Sequence, residues 1–585
     1  MDFSSDQKSD SSGAVRQPLQ LFLLLVLAGV LFFLGLGAIG LTDRDEGRNA
    51  EASREMYERG EWVSPTFNYE PRFAKPALVY WLMSLSYHMF GVNEFSARFP
   101  SAVFGMGLIV LQYLFLARSR GPVVALFGAA MLLLNVQILG LGRMALTDSA
   151  LIFFIALSLY GFWLGFYGEG RARHWMWIFY VGMALATLTK GPVGFLIPLV
   201  TVSLYLFLVT EWAGFWKRGL PIAGPLIFLL LALPWYVAML MIHGKQYVSS
   251  AQADTVGRFS EAMEGHGGTP LFYVPVFLVG FFPWSGWLPF AWYQAFESWR
   301  VAWKQDKRSV TLKLDWFAAI WFLAGLVFFS LSSTRLPHYI APLFPAAAIL
   351  TASFWYRCVS EVTVPGERAA IHIMTALGYV LALAFACLPS LYAQFVLKLV
   401  KEFPAAAQMD VGNGPYIIAF ILLIGMALVS YFGLSESRRP AAFWAAGASL
   451  AMVVLVITQF ILPLLNHYYL EPPQQLAEVA GLNLGREDRL IVYGQPRPSL
   501  VFYARRKAIM VPMNEEGNII QYLNHSGRTM LLLPQAMRGR LPVETMDYSV
   551  VLQRYGYILL SSQSMVRTPP PTEPPNSPPM RIPGH

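Results

Sequence analysis

Charged residues are scarce in this sequence, since Asp, Glu, Lys and Arg together make up only 13% of its 585 residues. Hydrophobic residues make up 56%, and the mean hydropathy is +0.47. A soluble chain of this length would contain several charge-rich domains, whereas here apolar runs of about 20 residues, the length that spans a bilayer, recur along the chain. The composition therefore predicts a polytopic helical membrane protein and excludes an ordinary multidomain soluble protein.

Cysteine is almost absent, and the usual nucleotide-binding motifs are missing as well. The two cysteines, Cys358 and Cys387, lie in or beside apolar runs without metal-ligand spacing, so no essential disulfide is expected. The chain has neither a P-loop nor a dinucleotide glycine fingerprint. The net charge of +8 does not indicate nucleic acid, because basic residues of membrane proteins collect in cytoplasmic loops. We therefore expect membrane lipids around the chain and no nucleic-acid partner.

The apolar runs predict an all-α polytopic fold of about thirteen transmembrane helices. Short loops rich in Lys and Arg alternate with loops that hold most of the acids, which predicts a cytoplasmic N-terminal tail at 1–17 and a periplasmic C-terminus. The predicted transmembrane catalytic domain is 18–466. Its apolar runs lie near 18–41, 97–117, 122–141, 149–167, 175–189, 193–210, 220–242, 271–292, 315–331, 340–356, 370–388, 416–434 and 441–466.

Two segments outside the spans have a different character. The first external loop, 42–96, is crowded with charges, and we predict juxtamembrane helices at Ala50–Arg59 and Pro76–Phe90, the first of them with solvated charges. From 467 to 566, short β-like and helix-like stretches alternate, which predicts a small periplasmic α/β domain. Its predicted strands are Arg489–Tyr493, Ile509–Pro512, Met530–Pro534 and Tyr557–Leu560, its predicted helices are Ser499–Tyr503 and Ile519–Leu523, and a Pro-rich tail predicted to be disordered follows at 567–585.

The predicted topology gathers acids and bases from distant parts of the chain at the outer membrane face. Bases at the headgroup level can hold a lipid phosphate, and a carboxylate can take a proton from a hydroxyl or an amine. The acids are Asp43, Asp45, Glu46 and Asp148, the bases are Lys75, Lys190, Arg258 and Arg335, and His338 and Tyr339 lie beside the last of these.

Ordinary structural roles remain open for the same residues. Asp45 fits the first turn of a helix, where an acid complements the helix dipole, and Asp148 fits an N-cap. Lys75 can extend along apolar surface to reach water. The sequence Asp43-Arg44-Asp45 is weak evidence for a metal, because a D-x-D pattern often occurs by chance.

Several motifs together resemble the GT-C glycosyltransferase superfamily, and specifically its bacterial enzymes that use polyprenyl-phosphate sugars. This group includes the lipid A aminoarabinose transferases and relatives among the protein O-mannosyltransferases. The motifs are Asp45-Glu46-x-Arg48-x-x-Glu51, Gly60-Glu61-Trp62, Lys75-Pro76, Tyr80-Trp81, Arg143-x-x-x-x-Asp148, Leu188-Thr-Lys-Gly-Pro192, Pro283-Trp284 and Leu336-Pro-x-Tyr339. The similarity extends over nearly the whole chain.

The resemblance implies roles for individual residues. Asp45 matches the family's catalytic carboxylate in the first loop, and Asp148 matches a second carboxylate near the site. Lys75, Arg258 and Tyr339 match contacts to the lipid-linked phosphate. Charge and topology add further candidates, namely Lys190 and Arg335 as phosphate ligands and Asp43, Glu46 and His338 as possible acceptor or sugar contacts.

The sequence departs from the aminoarabinose enzymes at two positions. In those enzymes the corresponding motif resembles Phe-Glu-Lys-Pro, where this chain has Phe73-Ala74-Lys75-Pro76, and a His takes the place of Thr255. Their Glu and His are associated with a bound zinc, and Ala and Thr are not comparable ligands. The sequence thus predicts no required cofactor, and it leaves both a divalent metal and the donor sugar undecided.

The motifs and the topology together predict an inverting glycosyltransferase of the bacterial inner membrane. It would move a sugar from a polyprenyl (undecaprenyl) phosphate carrier to a periplasmic lipid or protein acceptor, such as lipid A or another glycolipid. A transporter or flippase of lipid-linked sugars is the alternative, although it would favour charged or broken helices at mid-bilayer, whereas the charges here lie at span ends. A non-catalytic membrane partner is a second alternative.

Overall fold

The computed structural model describes residues 11–168, 173–257, 260, 269–305, 310–361, 363–400, 403–494, 496–523 and 526–563. Residues 1–10 of the predicted N-terminal tail, Arg258 and the predicted tail 567–585 lie outside the described residues. The helices in the N-terminal half of the chain are α1 (Ser11–Phe33), α2 (Asp45–Arg59), α3 (Leu78–Phe90), α4 (Glu94–Arg120), α5 (Pro122–Leu133), α6 (Val136–Gly142), α7 (Asp148–Tyr167), α8 (Arg173–Lys190), α9 (Val193–Val209), α10 (Trp212–Arg218) and α11 (Ala223–Gln252). The following helices are α12 (Tyr273–Gly280), α13 (Leu288–Gln305), α14 (Val310–Leu331), α15 (Phe344–Ser360), α16 (Glu367–Leu399), α17 (Gly414–Gly433), α18 (Arg439–Val456), α19 (Leu462–Leu465), α20 (Glu471–Asn483), α21 (Ser499–Ala504) and α22 (Ile519–Leu523).

The predicted fold class, a polytopic helical membrane protein with a small C-terminal α/β part, is confirmed. In the described residues, eight helices are long and apolar enough to cross a membrane, or up to ten if each of two bent helix pairs is one span. The bent pairs are α5 with α6, at 65°, and α12 with α13, at 115°. The predicted number of thirteen spans is therefore not confirmed, although each of the thirteen apolar runs overlaps a helix.

The first external loop folds into two packed helices and a short hairpin, and one expectation about it is wrong. Helix α2 begins at Asp45 rather than at Ala50. The expectation of solvated charges holds for Glu58 and Arg59, which are exposed, but not for Glu51, Arg54 and Glu55, which are fully buried. They are buried because each has a partner: Arg54 forms a 2.6 Å ion pair with Glu51, and Glu55 accepts hydrogen bonds from the first-loop hairpin, β1 (Thr66–Phe67) and β2 (Glu70–Pro71) with the turn between them.

The C-terminal part contains a five-stranded mixed sheet. Its strands are β3 (Arg489–Gly494), β4 (Ala508–Pro512), β5 (Thr529–Pro534), β6 (Ser549–Arg554) and β7 (Tyr557–Ser561), in the spatial order β4-β3-β5-β7-β6. Strand β3 pairs in parallel with β4 and β5, whereas β7 pairs antiparallel with β5 and β6. All four predicted strands and both predicted helices are present, and the sequence interpretation missed helix α20 and the half-exposed edge strand β6.

The last span continues into the C-terminal part without a loop. A helical run of 48 residues extends from Glu436 to Asn483, with two π-helical turns at Ile457–Ile461 and Asn466–Leu470. The predicted boundary between 466 and 467 therefore falls inside a continuous helical run. This connection brings α20 and α21 close to the first external loop.

Candidate functional site

Asp45 lies in the first turn of α2 and faces a group of charged side chains from three other segments. Burial by itself would raise the pKa of Asp45, but Lys75, Arg72 and Lys190 together hold it below its ordinary value, against the opposing charge of Asp148. The carboxyl group is therefore ionised at neutral pH. An ionised carboxylate among cations is suited to accept a proton from a nucleophile.

Asp148 and Lys190 form a buried ion pair beside the ring of Tyr339. The Lys190 Nζ to Asp148 Oδ1 distance is 2.7 Å, and the two side chains are 12% and 5% exposed, respectively. The same Nζ lies 4.9 Å from the centroid of the Tyr339 ring, which is within the range of a cation–π contact. The ring of His338 packs edge-on against that of Tyr339, and His338 interacts electrostatically with Asp148 and Asp45. The structure thus brings these predicted residues together from three separate segments.

A cavity of about 540 Å³ opens at this cluster. Its polar residues include Lys75, Lys190 and Tyr339, which therefore face a common space. The rest of the wall is mainly aromatic and aliphatic, with Phe73, Leu151, Leu196, Trp235, Tyr236, Tyr247, Phe328 and Phe329 among its members. A cavity with apolar walls and cations at one place fits an amphiphile that has an anionic head and a hydrocarbon chain.

The structure does not bring Asp43 and Glu46 into this cavity. Asp43 accepts hydrogen bonds from the backbone N and the Oγ of Ser499 in the C-terminal part, at 3.2 and 2.5 Å. Glu46 is buried, forms an ion pair with Arg98 at 2.8 Å and accepts a hydrogen bond from the backbone N of Ala145. Both acids have structural partners, so their geometry does not favour the predicted contact with acceptor or sugar.

Of the two remaining predicted phosphate ligands, only Arg335 is among the described residues. Arg335 donates a hydrogen bond to the carbonyl oxygen of Ser330 at 3.0 Å and does not contribute to the cavity wall. Arg258 lies outside the described residues, so its role stays a prediction from the resemblance.

The sequence interpretation missed several residues that shape the site. Arg72 is close enough to Asp45 to lower its pKa, and its Nε donates to the hydroxyl of Tyr80 at 3.1 Å. Helix α11 supplies an aromatic wall, in which Trp235 Nε1 donates to the carbonyl of Val63 at 2.9 Å. The cluster of Trp and Tyr near the outer end of the seventh apolar run was the available signal, but aromatics are common at membrane interfaces.

No group of three or more His, Cys, Asp or Glu side chains suited to a metal ion was found among the described residues. Ala74 contributes only a methyl group to the cavity wall, at the position where the resemblance implies a zinc-associated glutamate in the aminoarabinose enzymes. The residues present at this position therefore do not fit a metal, and no step of the chemistry below passes through one.

A polytopic helical fold with carboxylates and cations at a largely apolar cavity defines a membrane enzyme for a lipid-linked anionic substrate. The family model for dolichyl-phosphate-mannose-protein mannosyltransferase matches residues 22–253. An undecaprenyl phosphate-α-4-amino-4-deoxy-L-arabinose arabinosyl transferase from Pseudomonas aeruginosa is 30% identical over 452 residues, which is 76% of each chain. An uncharacterized protein of Aquifex aeolicus is 31% identical over 337 residues, and this match spans 63% of that protein's length.

The fold agrees with these relatives. The crystal structure of ArnT from Cupriavidus metallidurans bound to undecaprenyl phosphate has a TM-score of 0.70 and 22% identity, with 92% of this chain and 97% of that chain covered. The chain therefore belongs to the GT-C glycosyltransferase superfamily, in its lipid A aminoarabinose transferase-like group. The resemblance predicted from the motifs is confirmed, and the family favours a transferase over a flippase.

Proposed function

We propose that this protein is an inverting glycosyltransferase that moves a sugar from a polyprenyl-phosphate carrier to a periplasmic acceptor. The observation that carries this proposal is the cavity described above, where Lys75, Lys190 and Tyr339 line a largely apolar space and Asp45 lies next to both lysines. The relatives' names support the same class of donor, because one acts with undecaprenyl phosphate-aminoarabinose and another was crystallised with undecaprenyl phosphate.

The donor would bind with its isoprenoid chain along the aromatic wall and its phosphate at the cations. Lys75 and Lys190 supply positive charge, and the Tyr339 hydroxyl supplies a hydrogen-bond donor. Asp148 holds the ammonium group of Lys190 in place through the 2.7 Å ion pair. Fixed cations at the phosphate stabilise the negative charge that develops as the carrier leaves.

The transfer would be a single displacement at the anomeric carbon. The acceptor's oxygen or nitrogen forms the new bond as the bond between the anomeric carbon and the phosphate oxygen breaks, and the carrier phosphate departs with the electron pair. Asp45 takes the acceptor's proton. Attack from the face opposite the phosphate inverts the anomeric configuration. The phosphate ester is itself the leaving group, so the reaction requires no nucleotide.

The location and acceptor follow from the same proposal. The chain is a multi-pass membrane protein. The distribution of Lys and Arg in the short loops supports a cytoplasmic N-terminus and an Asp45 cluster at the outer face of the bacterial inner membrane. Acceptors within reach of that face include lipid A, another glycolipid or a secreted protein.

A transfer assay with an Asp45→Asn variant tests the proposal. The full chain is reconstituted in liposomes with a panel of undecaprenyl-phosphate-linked sugars, namely 4-amino-4-deoxy-L-arabinose, a neutral pentose and a hexose. Lipid A and a periplasmic protein extract serve as acceptors, and products are read by mass spectrometry. We expect the variant to lose at least about a hundredfold in rate, because general-base catalysis is typically worth that much.

A control variant at an exposed glutamate and a binding measurement complete this experiment. Glu70 lies in the same loop, its side chain is 71% exposed, and Glu70→Gln should transfer at the wild-type rate. Asp45→Asn should still bind undecaprenyl phosphate, because the lysines and the apolar wall are intact. Wild-type rates in Asp45→Asn, or a wild-type protein that transfers none of the sugars, would overturn the proposal.

A further inference from the structure

The segment Leu41–Gly47, which carries Asp45, has an unfavourable backbone at its centre. Arg44 directly precedes Asp45 and has φ +67° and ψ −110°, although it is not a glycine. A residue with a Cβ rarely adopts this conformation, and it persists only where the contacts on both sides hold it. The position of Asp45 therefore depends on what holds this segment.

The C-terminal part holds the segment on the N-terminal side of Arg44. The Oδ1 atom of Asp43 accepts hydrogen bonds from the backbone N and the Oγ of Ser499, and Arg497 Nη1 lies 3.7 Å from its Oδ2. The backbone N of Leu41 donates to the Tyr503 hydroxyl at 2.9 Å. The carbonyl of Leu41 accepts from the side chain of Gln474 at 2.7 Å.

The backbone of α2 also contacts the C-terminal part directly. A Cβ built on Gly47 would lie 2.7 Å from the backbone N of Ser499, closer than such atoms approach in proteins. Only a glycine at position 47 allows α2 and α21 to lie this close together. Ser499 therefore contacts the segment twice, once through Asp43 and once through Gly47.

The membrane part holds the segment on the C-terminal side of Arg44. Glu46 forms an ion pair with Arg98, and it also accepts hydrogen bonds from the backbone N and the hydroxyl of Thr42 at 2.7 Å. Asp45 lies between these two attachments. Its carboxylate faces Arg72, Lys75 and Lys190 as cations, together with Asp148 and His338.

We infer that the C-terminal domain positions the Asp45 carboxylate for sugar transfer, and that Ser499 is the positioning residue that acts through Asp43. This inference rests on the proposed function of Asp45. Without the bonds from Ser499, Arg44 can relax to an ordinary negative φ. That change turns the first helical turn of α2 and moves the carboxylate away from Lys75 and Lys190. Ser499 itself does not touch substrate.

A Ser499→Ala variant tests the inference with the undecaprenyl-phosphate sugar that the wild-type protein transfers. We expect kcat to fall about tenfold, because the hydroxyl hydrogen bond to the Asp43 carboxylate is lost while the backbone N–H of residue 499 remains, and KM for the donor should stay within about twofold. The acid limb of the kcat profile should move to higher pH, because a carboxylate that is farther from its cations has a higher pKa. A general loss of stability would not shift that limb.

Control variants separate positioning from simple docking of the domain. Lys507 pairs with Glu70 at 3.1 Å across the same interface, but both side chains are more than half exposed, so Lys507→Ala should keep the wild-type kcat. Asp43→Ala removes both bonds from residue 499 and should lose at least as much as Ser499→Ala, and the double variant should lose no more than Asp43→Ala. Asp43→Asn keeps an oxygen acceptor for Ser499 and should recover part of the rate.

The outcomes distinguish this inference from the proposed function. A kcat within about twofold of wild type in both Ser499→Ala and Asp43→Ala overturns the inference, and so does an equal loss in Lys507→Ala. In either case the proposed function stands if Asp45→Asn is inactive. If the wild-type protein transfers no sugar from the panel, the proposed function fails and the inference fails with it.

Discussion

At the scale of single residues, the site depends on opposite charges kept close together in a partly apolar place. Asp45 is ionised because Lys75, Arg72 and Lys190 outweigh the effect of burial on its pKa. The same carboxylate lowers the repulsion among the cations while the site is empty. A phosphate that enters the cavity would therefore meet cations whose positions are already fixed.

Lys75 is the residue whose removal should most directly weaken binding of the carrier. We expect Lys75→Ala to raise the dissociation constant for undecaprenyl phosphate by about tenfold to a hundredfold, since a bond to a charged group is worth about 1.5 to 3 kcal/mol. Native mass spectrometry or fluorescence titration in nanodiscs measures this constant. Lys507→Ala is the matched control, because Lys507 is exposed and remote from the cavity wall. An unchanged constant in Lys75→Ala would remove Lys75 from the phosphate site.

Arg72 should set the pH below which transfer is lost. The pKa of Asp45 is lowered in part by Arg72, so Arg72→Met should raise that pKa. A higher pKa leaves less carboxylate at a given acidic pH, and the acid limb of kcat should therefore move to higher pH. The pH dependence of kcat measures this shift, with Arg300→Met as the control, because Arg300 is 54% exposed and forms an ion pair with Glu297 one helical turn away. If the acid limb of kcat lies at the same pH in Arg72→Met and Arg300→Met, the assignment of Asp45 as the base is contradicted.

At the scale of the secondary-structure elements, α2 is the element on which the site depends most. It was expected to be a solvated helix, yet Glu51, Arg54 and Glu55 are buried, and the helix packs against the first-loop hairpin and α3. The Tyr87 hydroxyl of α3 donates to the carbonyl of Ala50 at 3.0 Å, and Ser84 Oγ donates to the carbonyl of Ser53 at 2.9 Å. These contacts make α2 a rigid support for the carboxylate at its first turn.

The buried pair Glu46–Arg98 should be essential for the stability of this support. Arg98 also donates to the carbonyls of Leu36, Ile39 and Gly40, so it joins the end of the first span to α2. Arg98→Ala leaves Glu46 buried without its charge partner and should cost about 3 to 5 kcal/mol in the free energy of unfolding. Thermal unfolding in detergent measures the loss. The exposed pair of Arg300 provides the comparison, since Arg300→Ala should cost less than about 1 kcal/mol.

At the scale of the whole molecule, the C-terminal part and the membrane part meet at the segment that carries Asp45. The hydrogen bonds between Asn68 and Ala508, each 2.8 Å long, add a second attachment at the first-loop hairpin. The last span continues into α20 without a loop. The C-terminal part is therefore attached to the membrane part both through this helix and through the edge strand β4, which contains Ala508. This arrangement is the basis of the inference that the C-terminal part positions Asp45.

The proposed orientation of the whole molecule can be checked by labelling. Lys507 should face the periplasm and Arg300 the cytoplasm, according to the distribution of basic residues in the short loops. In a background with Cys358→Ala and Cys387→Ala, a Lys507→Cys variant should react with a membrane-impermeant maleimide in intact spheroplasts. An Arg300→Cys variant should react only after lysis. The reverse pattern would place the proposed active site in the cytoplasm.

The sequence by itself determined the membrane-spanning character of the chain, the C-terminal α/β alternation and part of the site. Apolar runs are a local signal, because a helix in a bilayer must be apolar over its own length. Asp45, Lys75, Asp148, Lys190 and Tyr339 could be brought together because topology alone places all span ends of one side at one depth. The family motifs then selected Asp45, Lys75, Asp148 and Tyr339 from the many other polar residues of the chain, whereas Lys190 was a candidate from charge and topology.

Only the tertiary structure decided how the first loop is buried and what holds Asp45 in place. Asp43 meets Ser499 across 456 positions of the chain, and Glu46 meets Arg98 across 52. No periodicity or local motif encodes such a pair, since the partners are neighbours only after the spans have packed. For the same reason the charges of α2 looked solvated in the sequence. Their partners in the first-loop hairpin become visible only when that segment folds back over the helix.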